Sequence, residues 1–380
     1  MVRQSALLSL LTVVSALNLS GCGRDAPQPG AAVVKIGQVS PLTGPQAHLG
    51  KDNDNGARLA IEELNAKGVT IGGTQVKFEL VSEDDQADPK TGTIVAQKLV
   101  DAKVAGVIGH LNSGTTIPAS KIYNDAGIPQ ISPSATNPKY THQGYKGAFR
   151  VMANDVQQGK VLGEYAVAKL TAKKIAIIDD RTAYGQGLAD ETEKAVKAAG
   201  AKVVAREFTN DKATDFNAIL TKIRGAKPDV IFFGGMDAQA GPMLRQVKQL
   251  GVEAKFVTGD GGCSPEMIKL AGEAINTTTY CSMAGLPLDK MPRGAEFRDR
   301  FKQRFNTDVQ IYSPYAYDAT MAIIKAMQAA DSVEPAKYLP ELKKVNFPGV
   351  TGNVAFDDMG DIKEGAVAMY QFKDGKWVPM

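Results

Sequence analysis

From Val33 onward, short apolar runs alternate with longer amphipathic segments, and this alternation predicts strands and helices in regular succession. The first series reads as strands Val33 to Val39, Val76 to Ser82, Val104 to Gly109 and Pro129 to Ser132. Helices near Asn55 to Ala66, Pro89 to Ala102 and Ile117 to Ala126 lie between them. After Phe149 a second series begins, with helices Val156 to Leu170, Gly187 to Ala199, Phe216 to Gly225 and Ala238 to Leu250. Its strands are Lys174 to Asp179, Lys202 to Phe208, Val230 to Gly234 and Lys255 to Gly259. Strands that alternate with helices of this length belong to parallel α/β layers, so the expected class is α/β with two doubly wound, Rossmann-like lobes.

Length supports two cores, because 380 residues with 43% apolar side chains exceed one ordinary domain. Charge narrows the partners: 44 basic residues nearly balance 41 acidic ones, and the first 21 residues hold only Arg3, which leaves 43 against 41. Nothing in that balance points to nucleic acid. Residues 1–21 read as a signal peptide, since the apolar stretch Ala6 to Leu17 falls short of the roughly 20 residues a bilayer span needs. The following Leu19-Ser20-Gly21-Cys22 resembles the lipobox of bacterial lipoproteins, which would make Cys22 the lipidated residue. Residues 22–32 would then be a lipidated tether, with GRDAPQPGAA flexible. With Cys22 acylated, Cys263 and Cys281 can pair in an oxidising compartment or stay as buried thiols.

Candidate chemistry gathers just past two apolar strands, where doubly wound sheets bind ligands. After Val104 to Ile108 the chain reads GHLNSGTTIP, which places Ser113, Thr115 and Thr116 at a helix start. After Ile128 to Ile131 it reads SPSAT, which places Ser134 and Thr136 at the mouth of the next strand. Hydroxyls and free helix N–H groups at two such ends can hold one carboxylate; singly, each cluster also reads as ordinary caps and turns.

GHLNSGTTIPAS and ISPSATNP resemble the ligand-binding segments of periplasmic binding proteins for leucine, isoleucine and valine. AYGQGLAD, FFGGMDAQAGPMLRQVKQLG, FVTGDG and DDMGDIKEG follow in that family's order, so the resemblance covers nearly everything from Val33 to the C-terminus. It implies a type I periplasmic binding fold with a hinge of several crossings, near Val151 to Asn154, Ser282 to Leu286 and Gly352 to Ala355. Lobe I would comprise residues 33–151 and 284–353, including helices Glu296 to Phe305, Tyr315 to Ala330 and Ala336 to Lys343. Lobe II would comprise residues 152–283 and 354–380, with the last strand at Val367 to Phe372.

The resemblance also implies the site. Ser113 and Thr136, with backbone groups around Asn112 and Ser134, would hold an α-carboxylate. Asp260, in FVTGDG beside Gly261, stands where the family usually has glutamate and would face the α-ammonium; alone it also reads as a turn residue. Tyr184 would line the cleft, although a lone aromatic more often packs. Leu49 and Met236 stand where aromatic residues usually flank the ligand side chain, so the side-chain pocket stays apolar. Cysteine positions of some members are here Ala87 and Asn112.

The implied function is an extracytoplasmic, lipid-anchored substrate-binding protein of an ABC importer, a monomer that captures an apolar, branched-chain-like α-amino acid and delivers it to a permease. A sensory module for amino acids or amides is the alternative. An enzyme is not expected, because no G-x-S-x-G elbow, phosphate loop or H-E-x-x-H is present. Neither cofactor nor metal is expected: GQGLAD has Asp190 where a dinucleotide fingerprint needs glycine, KDNDNG begins with Lys51 where a calcium loop needs a ligand, and His48, His110 and His142 lack ligand spacing.

Overall fold

The computed structural model describes residues 31–380; the expected leader and Cys22 lie outside the described residues. The first lobe is built on strands β1 (Ala32–Ser40), β2 (Val69–Ile71), β3 (Thr74–Asp84), β4 (Val107–Gly109), β5 (Gln130–Ser132) and β6 (Ala148–Arg150). They run in the order β2-β3-β1-β4-β5-β6 and are parallel except for the β2–β3 pair. Helices α1 (Ala47–Lys67), α2 (Pro89–Asp101) and α3 (Ser113–Asp125) connect them.

The second lobe carries α4 (Asp155–Ala168), β7 (Lys174–Asp179), α5 (Ala183–Ala198), β8 (Lys202–Phe208), α6 (Asn217–Ala226), β9 (Val230–Gly234), α7 (Asp237–Gln249), β10 (Lys255–Thr258), α8 (Pro265–Ala271) and β11 (Thr279–Met283). The chain then returns through α9 (Gly294–Phe305), α10 (Ser313–Ala329) and α11 (Pro335–Leu342), and α9 and α10 pack on α1. A small hairpin, β12 (Asn346–Pro348) with β13 (Asn353–Ala355), precedes β14 (Ala368–Lys373) and β15 (Lys376–Pro379). β14 joins β11 and β15 joins β14, both antiparallel, which completes the order β15-β14-β11-β10-β9-β7-β8.

Central strands such as β9, VIFFG, are buried at every position, because a parallel sheet covered by helices on both faces leaves no side for water. The expected strand and helix series is present. What the periodicity missed is short or polar: β2, β6, β12 and β13 have too few residues to show a period. β11, TYCSM, overlaps a segment read as hinge. Three helices also start earlier than their apolar period: α1 at Ala47, α3 at Ser113 and α5 at Ala183. Their first turns are short on apolar periodicity, reading AHLG, SGTT and AYGQ, so the hydrophobic signal begins a turn or more late.

One of those early turns fastens α1 to α10. Asp52 of α1 is buried, and its carboxylate accepts the N–H groups of Gln310, Ile311, Tyr312 and Ser313 at 2.7–3.0 Å. A carboxylate at a helix start satisfies donors that have no intrahelical partner. Gly56 lets the helices approach, since a Cβ there would lie 2.2 Å from the Ser313 carbonyl oxygen.

The chain passes between the two sheets after β6, after β11 and after β13. These crossings are stitched together: Ala153 N–H donates to Ala284 O (3.3 Å) and Arg150 N–H to Gly360 O (2.9 Å).

Candidate functional site

The first-lobe wall of the cleft is built from strand ends that carry hydroxyls. Ser113 opens α3 and is buried; its Oγ accepts the Asn137 N–H at 3.1 Å, which leaves the hydroxyl hydrogen free to donate. The Ser113 and Gly114 N–H groups precede the first helical bonds, which Thr115 and Thr116 make to Asn112 O. Thr136 is also buried, and its Oγ1 has no hydrogen-bond partner. Ser134 is different: its hydroxyl donates to Leu111 O (3.1 Å) and accepts from Asn53 (3.2 Å), so it braces the loop.

Asp260 sits on the second-lobe wall, in the turn after β10. Its carboxylate accepts hydrogen bonds from the hydroxyls of Tyr184 at 2.9 Å and Tyr312 at 2.8 Å. Burial pushes its carboxyl above the usual range, against the Tyr312 and Tyr184 hydrogen bonds and the nearby Gln158 amide, which favour the charged form. Among the described residues its surroundings supply neutral donors and no cation. Gly261 N–H in turn donates to Tyr184 Oη at 2.9 Å, and a Cβ at Gly261 would come 2.7 Å from Met236 Sδ and 2.9 Å from Tyr184 Cε1, so both side chains pack directly on this glycine. Cys263 and Cys281 are bonded, with Cα atoms 5.4 Å apart, and tie this turn to β11.

Behind the turn lies a second carboxyl, Asp155, at the start of α4 and beside Thr136. Burial pushes it up to about 8, and repulsion from Asp260 adds to the rise. Neither of its oxygens, nor the side-chain amide of Gln158, meets a partner at hydrogen-bond geometry.

Asn112, Ser113, Ser134, Tyr184, Met236 and Asp260 line one cavity together with Leu111 and Tyr312. It measures about 10 Å³, the room of a single water, so this is a closed arrangement. Contacts across the cleft agree: Asn137 Nδ2 donates to Ala183 O at 2.6 Å, and His48 Nε2 lies 2.8 Å from Asp237 Oδ2. A larger cavity of about 380 Å³ adjoins it through Asn112, Tyr184 and Met236. Leu49 lines neither cavity and is wholly buried in the main core; Thr136 and Gly261 stand behind the lining.

Sequence reasoning missed Tyr312, Asp52, Asp155, Gln158 and the His48–Asp237 pair. Tyr312 lies just before the Ser313-Pro314 start of α10, yet nothing local connects it with Asp260. The three histidines share one fate, each pairing with an aspartate: His48 with Asp237, His110 with Asp85 and His142 with Asp361.

Residues 33–376 match the family model described as periplasmic binding protein. The chain belongs to that family. It is 39% identical over 345 residues to the Leu/Ile/Val-binding protein homolog 1 of Brucella suis, covering 90% of this chain and 91% of that protein. A leucine-binding protein of Thermotoga maritima superposes with a TM-score of 0.85 at 27% identity, covering 91% of this chain and 97% of the other. The branched-chain amino acid transporter substrate-binding protein of Streptococcus pneumoniae, solved in complex with isoleucine, superposes with a TM-score of 0.81 at 28% identity over 92% of this chain and all of that one. The fold is the type I periplasmic binding fold, and the protein binds a solute rather than catalysing a reaction.

Proposed function

We propose that this protein captures an α-amino acid with an apolar stem, of the branched-chain kind, and hands it to the permease of an ABC importer outside the cytoplasm. One observation carries the reading: the unused hydroxyl donor of Ser113 shares one cavity with the buried carboxylate of Asp260, which no cation among the described residues meets, while Thr136 stands behind the lining. An α-carboxylate and an α-ammonium are complementary to those two stations, and hydrogen bonds to charged groups contribute about 1.5–3 kcal/mol each. Met236 and Tyr184 supply apolar surface for the stem.

Lobe I, residues 33–151 and 284–353, and lobe II, residues 152–283 and 354–380, move against each other as units about the three crossings. A cavity the size of one water admits no amino acid, so the lobes part to load and close on the ligand. Contacts from both lobes exist only in the closed form, and the ligand shifts the equilibrium by that difference in affinity. Release of the leader and acylation of Cys22 would anchor the monomer to the membrane beside its permease.

Calorimetry with leucine and with 4-methylpentanoate, its analogue lacking the amino group, tests the reading. Asp260→Asn should weaken leucine by about 3–5 kcal/mol while the analogue is not weakened, because only leucine brings an ammonium for the carboxylate to compensate. Equal losses for both ligands in folded protein would remove Asp260 from the site.

A further inference from the structure

The crossings between the sheets converge on one helix. At the head of α10, Tyr312 Oη donates to Asp260 Oδ2 at 2.8 Å, which joins the returning helix to the second-lobe wall of the cleft. Three residues on, Tyr315 is buried against the second crossing: a Cβ at Gly285 would overlap Tyr315 Oη and come 2.6 Å from its Cζ. Three residues further, the buried Asp318 carboxylate holds the chain just ahead of the third crossing. It accepts the N–H groups of Val350 and Thr351, both at 2.8 Å, and the Thr351 hydroxyl at 2.7 Å. The first crossing is bonded to the second through Ala153 N–H and Ala284 O. Residues three apart are neighbours on a helix surface, so one element carries the ligand-side contact and the hinge contacts together.

A cavity of about 120 Å³ opens where the crossings meet, with Met152, Gly285, Tyr315 and Asn353 among its walls. Protein interiors are close-packed, and a hinge packed solid could turn only by breaking contacts. Here the void leaves the crossings room to turn, while the Tyr315 ring on the bare Gly285 backbone marks a place where they come no closer. We propose that Tyr315 seated on Gly285 is the pivot of closure, a positioning contact that sets ligand affinity from outside the site. The two meet this closely only when the lobes are shut, so a side chain at position 285 holds the protein open. The proposal rests on the closure reading above and adds the residues that govern it.

Calorimetry with leucine on Gly285→Ala tests it. The φ of Gly285 lies outside the left-handed region and the three atoms nearest its Cβ all belong to Tyr315, so the added methyl acts on that one ring. Leucine should bind about tenfold to a hundredfold more weakly, as overpacking of the closed form alone requires. The ligand-free variant should keep the native urea midpoint, because the open form relieves the contact. Gly285→Ala combined with Tyr315→Phe, which takes away the overlapping atom, should recover most of the lost affinity. Unchanged affinity in folded Gly285→Ala, or a loss that Tyr315→Phe does not relieve, would overturn the pivot. Native protein supplies a test without any variant: leucine should slow amide exchange at residues 284–286 and 349–352, which line neither ligand cavity. Protection confined to the cleft walls would also overturn it. If leucine binds but small-angle scattering shows no compaction of the native protein, the closure reading itself fails and takes the proposal with it.

Discussion

Asp361 and Asp260 are both buried aspartates near the cleft, and they are finished in opposite ways. Asp361, beside the crossings, accepts from Arg150 Nε and Nη2 at 2.9 and 2.7 Å, from Thr141 at 2.7 Å and from Asn154 at 2.9 Å. Burial would raise its carboxyl, but the Arg150 guanidinium and these hydrogen bonds outweigh burial and hold it below the usual range. Asp260 has two tyrosine hydroxyls and no cation, and burial keeps it above that range. The first charge is compensated by the protein alone and serves the fold. On the proposed reading the second is left for the ligand to compensate, so the same side chain at similar burial would become a binding group.

The sharpest way to break the comparison is to remove the cation from one aspartate and the charge from the other. Arg150→Met leaves Asp361 buried with the partly exposed His142 imidazole as its one remaining basic neighbour among the described residues, and urea denaturation should show a loss of about 3–5 kcal/mol. Asp260→Asn should leave the midpoint of the ligand-free protein unchanged or raise it, because it deletes an uncompensated charge. A large loss of stability in Asp260→Asn would mean that the protein itself already compensates that carboxylate.

A covalent tie does for the Asp260 turn part of what Arg150 does for Asp361. Cys263 and Cys281 are separated by 18 residues, and replacing both by alanine should cost roughly 3 kcal/mol by chain-entropy reasoning. If the bond matters only to the unfolded chain, leucine affinity measured well below the melting temperature will not change. A drop in affinity there would show that the tie also positions Asp260.

The smallest expected effect concerns the latch across the cleft mouth. His48 on α1 meets Asp237 at the start of α7, whose carboxylate also accepts from Ser264 Oγ. Burial lowers the imidazole's proton affinity, but the hydrogen bond and charge of Asp237, helped by Glu266, more than reverse this, so its pKa stands above 6.5. With the closed-state value raised, the latch's contribution is fully present below about pH 6.5 and is lost as pH rises through the raised value. The affinity ratio of the native protein to His48→Gln should fall by at most about fivefold across that interval. A ratio independent of pH would make the pair a neutral hydrogen bond.

Local pattern carried a large part of this molecule. Strand and helix succession is written in periods of 2 and 3.6, and those periods are short-range properties of the chain. The hydroxyl clusters were legible too, because strand ends in doubly wound sheets are where ligands bind, and Ser113 and Ser134 line one cavity; Tyr184, Met236 and Asp260, which also line it, were implied only by the resemblance to the family. Leu49 shows the limit: an apolar residue in the right segment lines the site or the core according to a rotation that periodicity does not encode.

By itself, then, the sequence determined the layered α/β architecture and the two strand-end hydroxyl clusters, and resemblance to the family added the acidic turn at Asp260. Tertiary structure alone decided how the charges are completed. Tyr312 reaches Asp260 across 52 positions, Asp52 holds the start of α10 from as far as 261 positions away, and His48 meets Asp237 across 189. Such pairings leave no periodic trace, because each depends on one close approach between elements. Whether a buried carboxylate finds an arginine, a tyrosine or only a ligand is settled by which elements pack beside it.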